Sequence, residues 1–281
     1  MEIFFNELSI KPLSSNKEES KEKINSLLIM MKALREFNIT VLRADENFWI
    51  TDLGDEFTLS HFLNDPSISF EIKVLLQSII VYPFIRDEAD EEVDSYINNS
   101  FKTKDHEGNI KTCEGIAAGY LFNSPTLSLS SHCHWSQDEL VLEIDYDQGE
   151  TLYTNVLNLS IINYLDNSIF TKQLELLKSI PRFRDAESIY KVYSKDEFLF
   201  EDRAVQDIVS WVRDDIRYII KIMSLIEDIK SNPLKGGLGK TEILKHDLKG
   251  KCSKRIVKKD RLIYTYTKEL ITIHKCREHY N

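Results

Sequence analysis

The sequence lacks the features that mark membrane, secreted and disulfide-stabilised proteins. No apolar run approaches the roughly 18 residues that a membrane-spanning helix requires. The first residues, MEIFFNELS, place no basic segment before an apolar one, so we expect no signal peptide. Cysteines are few and scattered, at Cys113, Cys133, Cys252 and Cys276, which argues against a disulfide framework. These absences favour a cytoplasmic protein with reduced thiols and no membrane partner.

Internal repeats and low-complexity tracts are also missing, and the composition is that of an ordinary folded protein. The apolar share of 42% and the charged share of 29% allow a sizeable core. A chain of 281 residues exceeds the usual size of one domain, which predicts two domains. We place them at residues 1–180 and 196–281, joined by a linker at residues 181–195.

The two predicted domains differ in charge. Residues 196–281 hold 18 Lys and Arg against 14 Asp and Glu, a net charge of +4, and the preceding residues carry a net charge of −14. From Lys230 onward the balance is 14 basic against 5 acidic residues, a net charge of +9. Contacts from Lys and Arg to phosphates supply most sequence-independent affinity for nucleic acids. The basic tail therefore indicates nucleic-acid binding, with a solvated basic face as the alternative.

Residues 1–180 alternate between strand and helix patterns. Apolar residues at helical spacing predict a helix over residues 24–37. Further helices are expected at residues 57–63, 70–82, 113–122 and 161–180, and strands at MEIFF, ITVLRA, TLSLSS, ELVLEIDYD and TLYTNVLNLS. These elements predict an α+β domain with an antiparallel core, and they indicate no particular activity.

Two patterns in this domain imitate functional sites. His132-Cys133-His134 imitates a metal cluster, but alternation along a strand would send the histidines and the cysteine to opposite faces. No second pair of residues follows at zinc-ligand spacing. Glu71-Ile72-Lys73 imitates part of a nuclease motif but lies in a helical pattern. We therefore predict neither a metal nor a cofactor.

The last third of the chain has its own pattern. EFLF predicts a strand, and apolar residues from Val205 to Met223 form a helical stripe. Pro233 and the glycines at 236, 237 and 239 end the helical region. EILKHDL, KCSKRIVKK, RLIYTYT and LITIHKC then predict four strands. The order is βα(α)ββββ, which again predicts an α+β domain.

Several short stretches of this tail occur in the order seen in one family. They are a Gly/Lys loop, a Glu beside Leu-Lys-His, a basic strand, Arg-Leu-Ile-Tyr, and Cys-Arg-Glu-His-Tyr. In this order the tail resembles the YoeB-type toxins of the RelE superfamily, which are ribosome-dependent messenger RNases. The resemblance implies a fold with helices packed on a mainly antiparallel sheet. It also implies a metal-independent endoribonuclease of a type II toxin–antitoxin system. Its partners would be messenger RNA, the ribosome and a cognate antitoxin.

The resemblance also implies roles for four residues. RNA cleavage without a metal needs a base for the 2′-hydroxyl, an acid for the leaving oxygen, and cations beside the phosphorane. Glu242 would be the general base and Arg261 would neutralise the scissile phosphate. His279 would be the general acid, and Tyr280 would stack on or orient the target base.

Other residues of the tail would complete an RNA-binding surface or the core. The expected surface consists of Lys245, His246, Lys254, Arg255 and Arg277. Cys276 is expected in the core, and His274 is expected to be structural. One departure from the family is that Gly250-Lys251-Cys252 replaces an aromatic pair before the basic strand, so base or codon preference could differ.

The first domain leaves two hypotheses open. Because it is acidic and tethered to a cationic module, it could contact that module within one chain and restrain it, or serve as a sensor. The other hypothesis is that the toxin fold is inactive and binds RNA or protein. In that case residues 1–195 would carry the function, for example as a phage-defence or regulatory sensor.

Overall fold

A computed structural model describes residues 2–277, except 38, 83, 86–90, 123, 147–148, 150, 165, 169, 173–182, 215, 246–247, 258 and 268–269. The chain forms two compact units, residues 1–173 and 174–281. Both combine helices with a sheet, which confirms the predicted α+β class. None of the helices in the described ranges has the length and apolarity needed to cross a membrane.

The first unit is built on an eight-stranded mixed sheet. Its order is β3-β2-β1-β6-β8-β7-β4-β5, parallel from β3 to β8 and antiparallel from β8 to β5. The strands are β1 (Glu2–Phe5), β2 (Val41–Arg43), β3 (Ile80–Val81), β4 (Asn99–Lys104), β5 (Ile110–Thr112), β6 (Thr126–Leu127), β7 (Glu139–Tyr146) and β8 (Thr151–Leu159). The antiparallel core that we predicted is therefore only half of this sheet.

Strand β3, with two residues, is too short for its pattern to stand out in the sequence. Ile80 and Val81 continue the apolar run of the preceding helix, so we predicted helix to residue 82, whereas the helix ends at Ile79. Likewise His132-Cys133-His134 is not on a strand: Cys133–Ser136 is a 3₁₀ helix that His132 caps. Of the helix predicted at residues 161–180, residues 173–180 lie outside the described ranges.

Three of the described helices of the first unit begin at capping side chains. Asn16 accepts a hydrogen bond from the Glu19 amide, which starts the long first helix. The helices are α1 (Lys17–Leu34), α2 (Leu59–Asn64), α3 (Phe70–Ile79), α4 (Glu91–Asn98) and α5 (Glu114–Leu121). At Gly115 of α5 a Cβ atom would lie 1.8 Å from the Phe5 carbonyl oxygen, so only glycine allows this close packing on β1.

The second unit has the element order predicted for the tail. It contains α6 (Ala186–Ile189), β9 (Phe198–Phe200), α7 (Asp202–Asp214), α8 (Ile216–Ser231), β10 (Glu242–Ile243), β11 (Cys252–Arg255), β12 (Arg261–Tyr266) and β13 (Ile271–Lys275). The sheet order is β10-β11-β12-β13-β9, antiparallel except for the parallel β13–β9 pair. This confirms a mainly antiparallel sheet with helices.

One face of this sheet packs against α7 and α8. Leu262, Tyr264 and Ile273 of the sheet are buried in one core with Ile208, Ile219, Met223 and Ile226 of the helices. Residues just before β9 belong to the same core, since Phe183, Ile189 and Tyr193 are buried in it. The predicted domain bounds, with a first domain at 1–180, a linker at 181–195 and a second domain at 196–281, stay a prediction.

Candidate active site

Strand register brings two of the predicted catalytic residues to one face of the second sheet. Glu242 pairs with Ser253, Ser253 pairs with Ile263, and Arg255 pairs with Arg261. Directly paired residues point the same way, and so do residues two apart on a strand. Glu242, Arg255 and Arg261 therefore share the face opposite to the α7–α8 core.

Glu242 is exposed on a strand of two residues at the edge of the sheet. It lies two strands and two residues from Arg261. With about 4.8 Å between strands and 3.4 Å per residue, their Cα atoms are about 12 Å apart. Two long side chains at that separation can converge on one phosphodiester from either side.

Arg261 is 7% exposed at the start of β12. Its Nη1 donates to the carbonyl oxygens of Val257 and Asp260 at 2.9 and 3.2 Å, so the preceding turn orients the guanidinium. Arg255, partly buried, lies directly opposite on β11. Like charges directly opposite on neighbouring strands repel each other, and an anion placed beside them relieves that repulsion. Two arginines therefore lie opposite each other at this end of the sheet.

Lys254 does not belong to this surface. Adjacent residues on a strand face opposite ways, and Lys254 points to the helix side, where its side chain is 0% exposed. Its Nζ lies 2.6 Å from Asp228 Oδ2 of α8 and donates to Thr241 Oγ1 at 2.8 Å and the Leu238 carbonyl at 3.1 Å. The expectation that Lys254 binds RNA does not fit this burial, because its charge is already neutralised by Asp228.

Arg277 is engaged with α7. Its guanidinium lies 4.3 Å from the centre of the Trp211 ring and hydrogen-bonds Ser210 and Asp214. The Arg277 contact lowers the pKa of the Asp214 carboxyl, which holds that carboxyl charged. The backbone of the neighbouring Cys276 is held by two hydrogen bonds. Its amide donates to Asp207 Oδ2, and its carbonyl oxygen accepts from the Trp211 indole. The chain therefore leaves the sheet anchored to α7 just before the predicted His279 and Tyr280.

The remaining predicted residues are distributed as follows. Lys245 is exposed just beyond β10. His246, His279 and Tyr280 lie outside the described residues, so their roles stay predictions. His274 is held between Glu201 Oε1, 2.7 Å from its Nδ1, and Thr265 Oγ1, which agrees with a structural role.

The thiols of this unit are not nucleophiles. Cys252 and Cys276 are both buried in the core, as expected for Cys276. Burial raises the pKa of both thiols, and a protonated thiol is a poor nucleophile. Within the described ranges, no group of three His, Cys, Asp or Glu side chains is arranged to hold a metal ion.

Asp228 and Thr241 are residues of this site that the sequence did not single out. Both touch the Lys254 ammonium, from α8 and from the loop before β10. The available signal was Lys254 itself, because a lysine on the core-facing side of a strand requires a buried acidic partner. That partner lies 26 residues away in the chain, and no sequence pattern links them.

Comparison with known proteins matches the second unit. A family described as "YoeB-like toxin of bacterial type II toxin-antitoxin system" matches residues 200–280. Toxin YoeB of Escherichia coli K12 is 37% identical over 84 residues, 30% of this chain and 99% of that protein. Toxin YoeB of Streptomyces coelicolor is 40% identical over 81 residues, 29% of this chain and 95% of that protein. Among solved structures, one similar chain belongs to the heterotetrameric YoeB–YefM toxin–antitoxin complex from Staphylococcus aureus, and it is 33% identical. The match covers 31% of this chain and 100% of that chain, with a TM-score of 0.29.

Proposed function

The chain belongs to the YoeB-like toxins through residues 200–280, and we propose that it is an endoribonuclease that cleaves messenger RNA on the ribosome. The observation that carries the proposal is the shared sheet face of Glu242, Arg255 and Arg261. A carboxylate and two guanidinium groups on one sheet face supply a base and the cations that an RNA phosphodiester requires.

The proposed reaction is an internal displacement at phosphorus. Glu242 takes the proton of the 2′-hydroxyl, and the 2′-oxygen attacks the adjacent phosphorus. Arg261, supported by Arg255, stabilises the charge of the phosphorane. The bond from phosphorus to the 5′-oxygen breaks, and His279 gives that oxygen a proton. The products are a 2′,3′-cyclic phosphate and a 5′-hydroxyl, and no metal is needed.

RNA binding is assigned to residues around this centre. Tyr280 would stack on the target base, as aromatic rings do with unstacked bases. The proposed phosphate-binding residues are Lys245, His246, Arg255 and Arg277; Lys254 is left out because it is buried. We infer a YefM-like antitoxin as the partner, since a related toxin is solved as a YoeB–YefM toxin–antitoxin complex. Inhibition by this antitoxin and a cytoplasmic location are part of the proposal.

We further propose that the first 195 residues restrain this activity. The supporting observation is their net charge of −14 against +4 for the remainder. A tethered acidic segment competes with RNA phosphates for the basic face at an effective concentration of about millimolar. Restraint lowers cleavage without abolishing it, because the contact is reversible.

The test is growth of a bacterial host after induction. We expect the full chain to slow growth, and the double variant Glu242→Ala, His279→Ala to be harmless at equal protein level. A chain of residues 183–281, which keeps Phe183, Ile189 and Tyr193 in the core, should be more toxic than the full chain. Equal toxicity of the full chain and of residues 183–281 would refute the proposed restraint. If neither of these two proteins slows growth, the alternative of an inactive binding module is favoured.

A further inference from the structure

The position of Glu242 depends on the loop before it. Strand β10 has two residues and lies at the sheet edge, so its own ladder to β11 fixes it weakly. Residues 232–241 lead from α8 directly into Glu242. A general base must lie within hydrogen-bond reach of the proton that it removes. Whatever fixes this loop therefore fixes the base.

The loop is wrapped around the Lys254 ammonium. This group contacts the Leu238 carbonyl at 3.1 Å, the Gly236 carbonyl at 3.4 Å and Thr241 Oγ1 at 2.8 Å. Lysine is a compact charge with three donors, and here all of its contacts are inside the protein. The ammonium thus links successive turns of the loop to β11.

Asp228 fixes the same loop from the helix. Its Oδ2 receives Lys254 Nζ at 2.6 Å and the Leu238 amide at 3.1 Å, and its Oδ1 receives Asn232 Nδ2 at 2.9 Å. A Cβ atom on Gly237 would lie 2.2 Å from Asp228 Oδ2, so the loop passes directly over the carboxylate. The buried ion pair therefore joins α8, the loop and β11.

Thr241 connects this arrangement to Glu242. Its hydroxyl accepts from Lys254 Nζ at 2.8 Å and donates to the Gly236 carbonyl at 2.7 Å. It is the residue immediately before Glu242, whose backbone then pairs with Ser253. A single hydroxyl thus fixes the last loop residue before the strand begins.

We propose that Lys254, Asp228 and Thr241 are positioning residues that hold the Glu242 carboxylate against the RNA 2′-hydroxyl. This inference rests on the proposed function and extends it to a buried ion pair that touches no RNA. A small displacement of a catalytic group lowers the rate of cleavage. It leaves the affinity for the ribosome-bound message unchanged, because the binding surface is intact.

The test compares Thr241→Val with Thr241→Ser in the full chain. Valine has the shape of threonine without the hydroxyl, and serine keeps the hydroxyl. The probe is a ribosome translating a defined message, with single-turnover cleavage followed over a range of ribosome concentrations. We expect Thr241→Val to lower the maximal rate by about 10- to 100-fold with the half-saturating concentration changed by less than about twofold. Thr241→Ser should match the wild type.

Each other outcome overturns one statement. A wild-type rate in Thr241→Val, or a loss in affinity alone, overturns the positioning role while the nuclease stands. Absence of cleavage by the wild type overturns the proposed function itself. If Thr241→Val does not fold, as judged by circular dichroism and thermal melting, Thr241→Ala measured beside Thr241→Ser makes the same comparison.

Discussion

Glu242→Gln should lower the rate constant of message cleavage by about 10²- to 10⁴-fold, the usual contribution of a general base. Glutamine has nearly the same size and cannot take the proton of the 2′-hydroxyl at neutral pH. Glu242 is exposed, so the substitution should leave the melting temperature unchanged. The measurement is the single-turnover cleavage rate of the full chain on a translated message.

The matched control for this prediction is Glu187→Gln. Glu187 is an exposed glutamate in the first turn of α6, within the same unit, and should tolerate the change without loss of rate. An equal loss in both variants would mean that the rate depends on overall charge. A wild-type rate in Glu242→Gln would mean that another group removes the proton.

Lys254→Met should be the most destabilising single substitution considered. Methionine fills the volume of lysine but leaves the Asp228 carboxylate, 13% exposed, without its ammonium partner. Breaking a buried ion pair from one side costs about 3–5 kcal/mol. For a unit of this size the melting temperature should fall by roughly 10–30 °C, measured by differential scanning calorimetry of the full chain.

Two companion variants separate the lost ion pair from lost packing. Lys249→Met changes an exposed lysine in the turn before β11, and its free energy of unfolding should stay within about 0.5 kcal/mol of the wild-type value. Lys254→Met with Asp228→Asn removes both charges and keeps an acceptor for the Leu238 amide, so part of the stability should return. No recovery in the double variant would assign the loss to packing.

Periodicity and turn residues predicted the order of helices and strands in the second unit, and the family resemblance supplied the mainly antiparallel sheet. Alternation on β12 places Leu262 and Tyr264 in the core and Arg261 on the opposite face, because every second strand residue faces the same way. The same rule, applied to the neighbouring Lys254 and Arg255, would have separated them. Both residues were expected on the RNA surface, and the structure places Lys254 on the helix side of the sheet.

Features that depend on distant residues could not be predicted. The Lys254–Asp228 pair joins a strand to a helix 26 residues earlier, and Arg277 meets Asp214 across 63 residues. Local patterns carry no information on such pairing. In the first unit, Ile80–Val81 forms a strand only because β2 offers it a parallel partner, and that partner is not visible from the helical run before it.

The most direct test of the central claim is the chemistry of the cut ends. Purified full chain is added to ribosomes translating a defined message, and both ends of each product are identified at nucleotide resolution. Internal attack by the 2′-hydroxyl predicts 2′,3′-cyclic phosphate and 5′-hydroxyl ends, absent with Glu242→Gln. Ends carrying 5′-phosphate and 3′-hydroxyl groups, or cuts that persist in Glu242→Gln, would contradict the account.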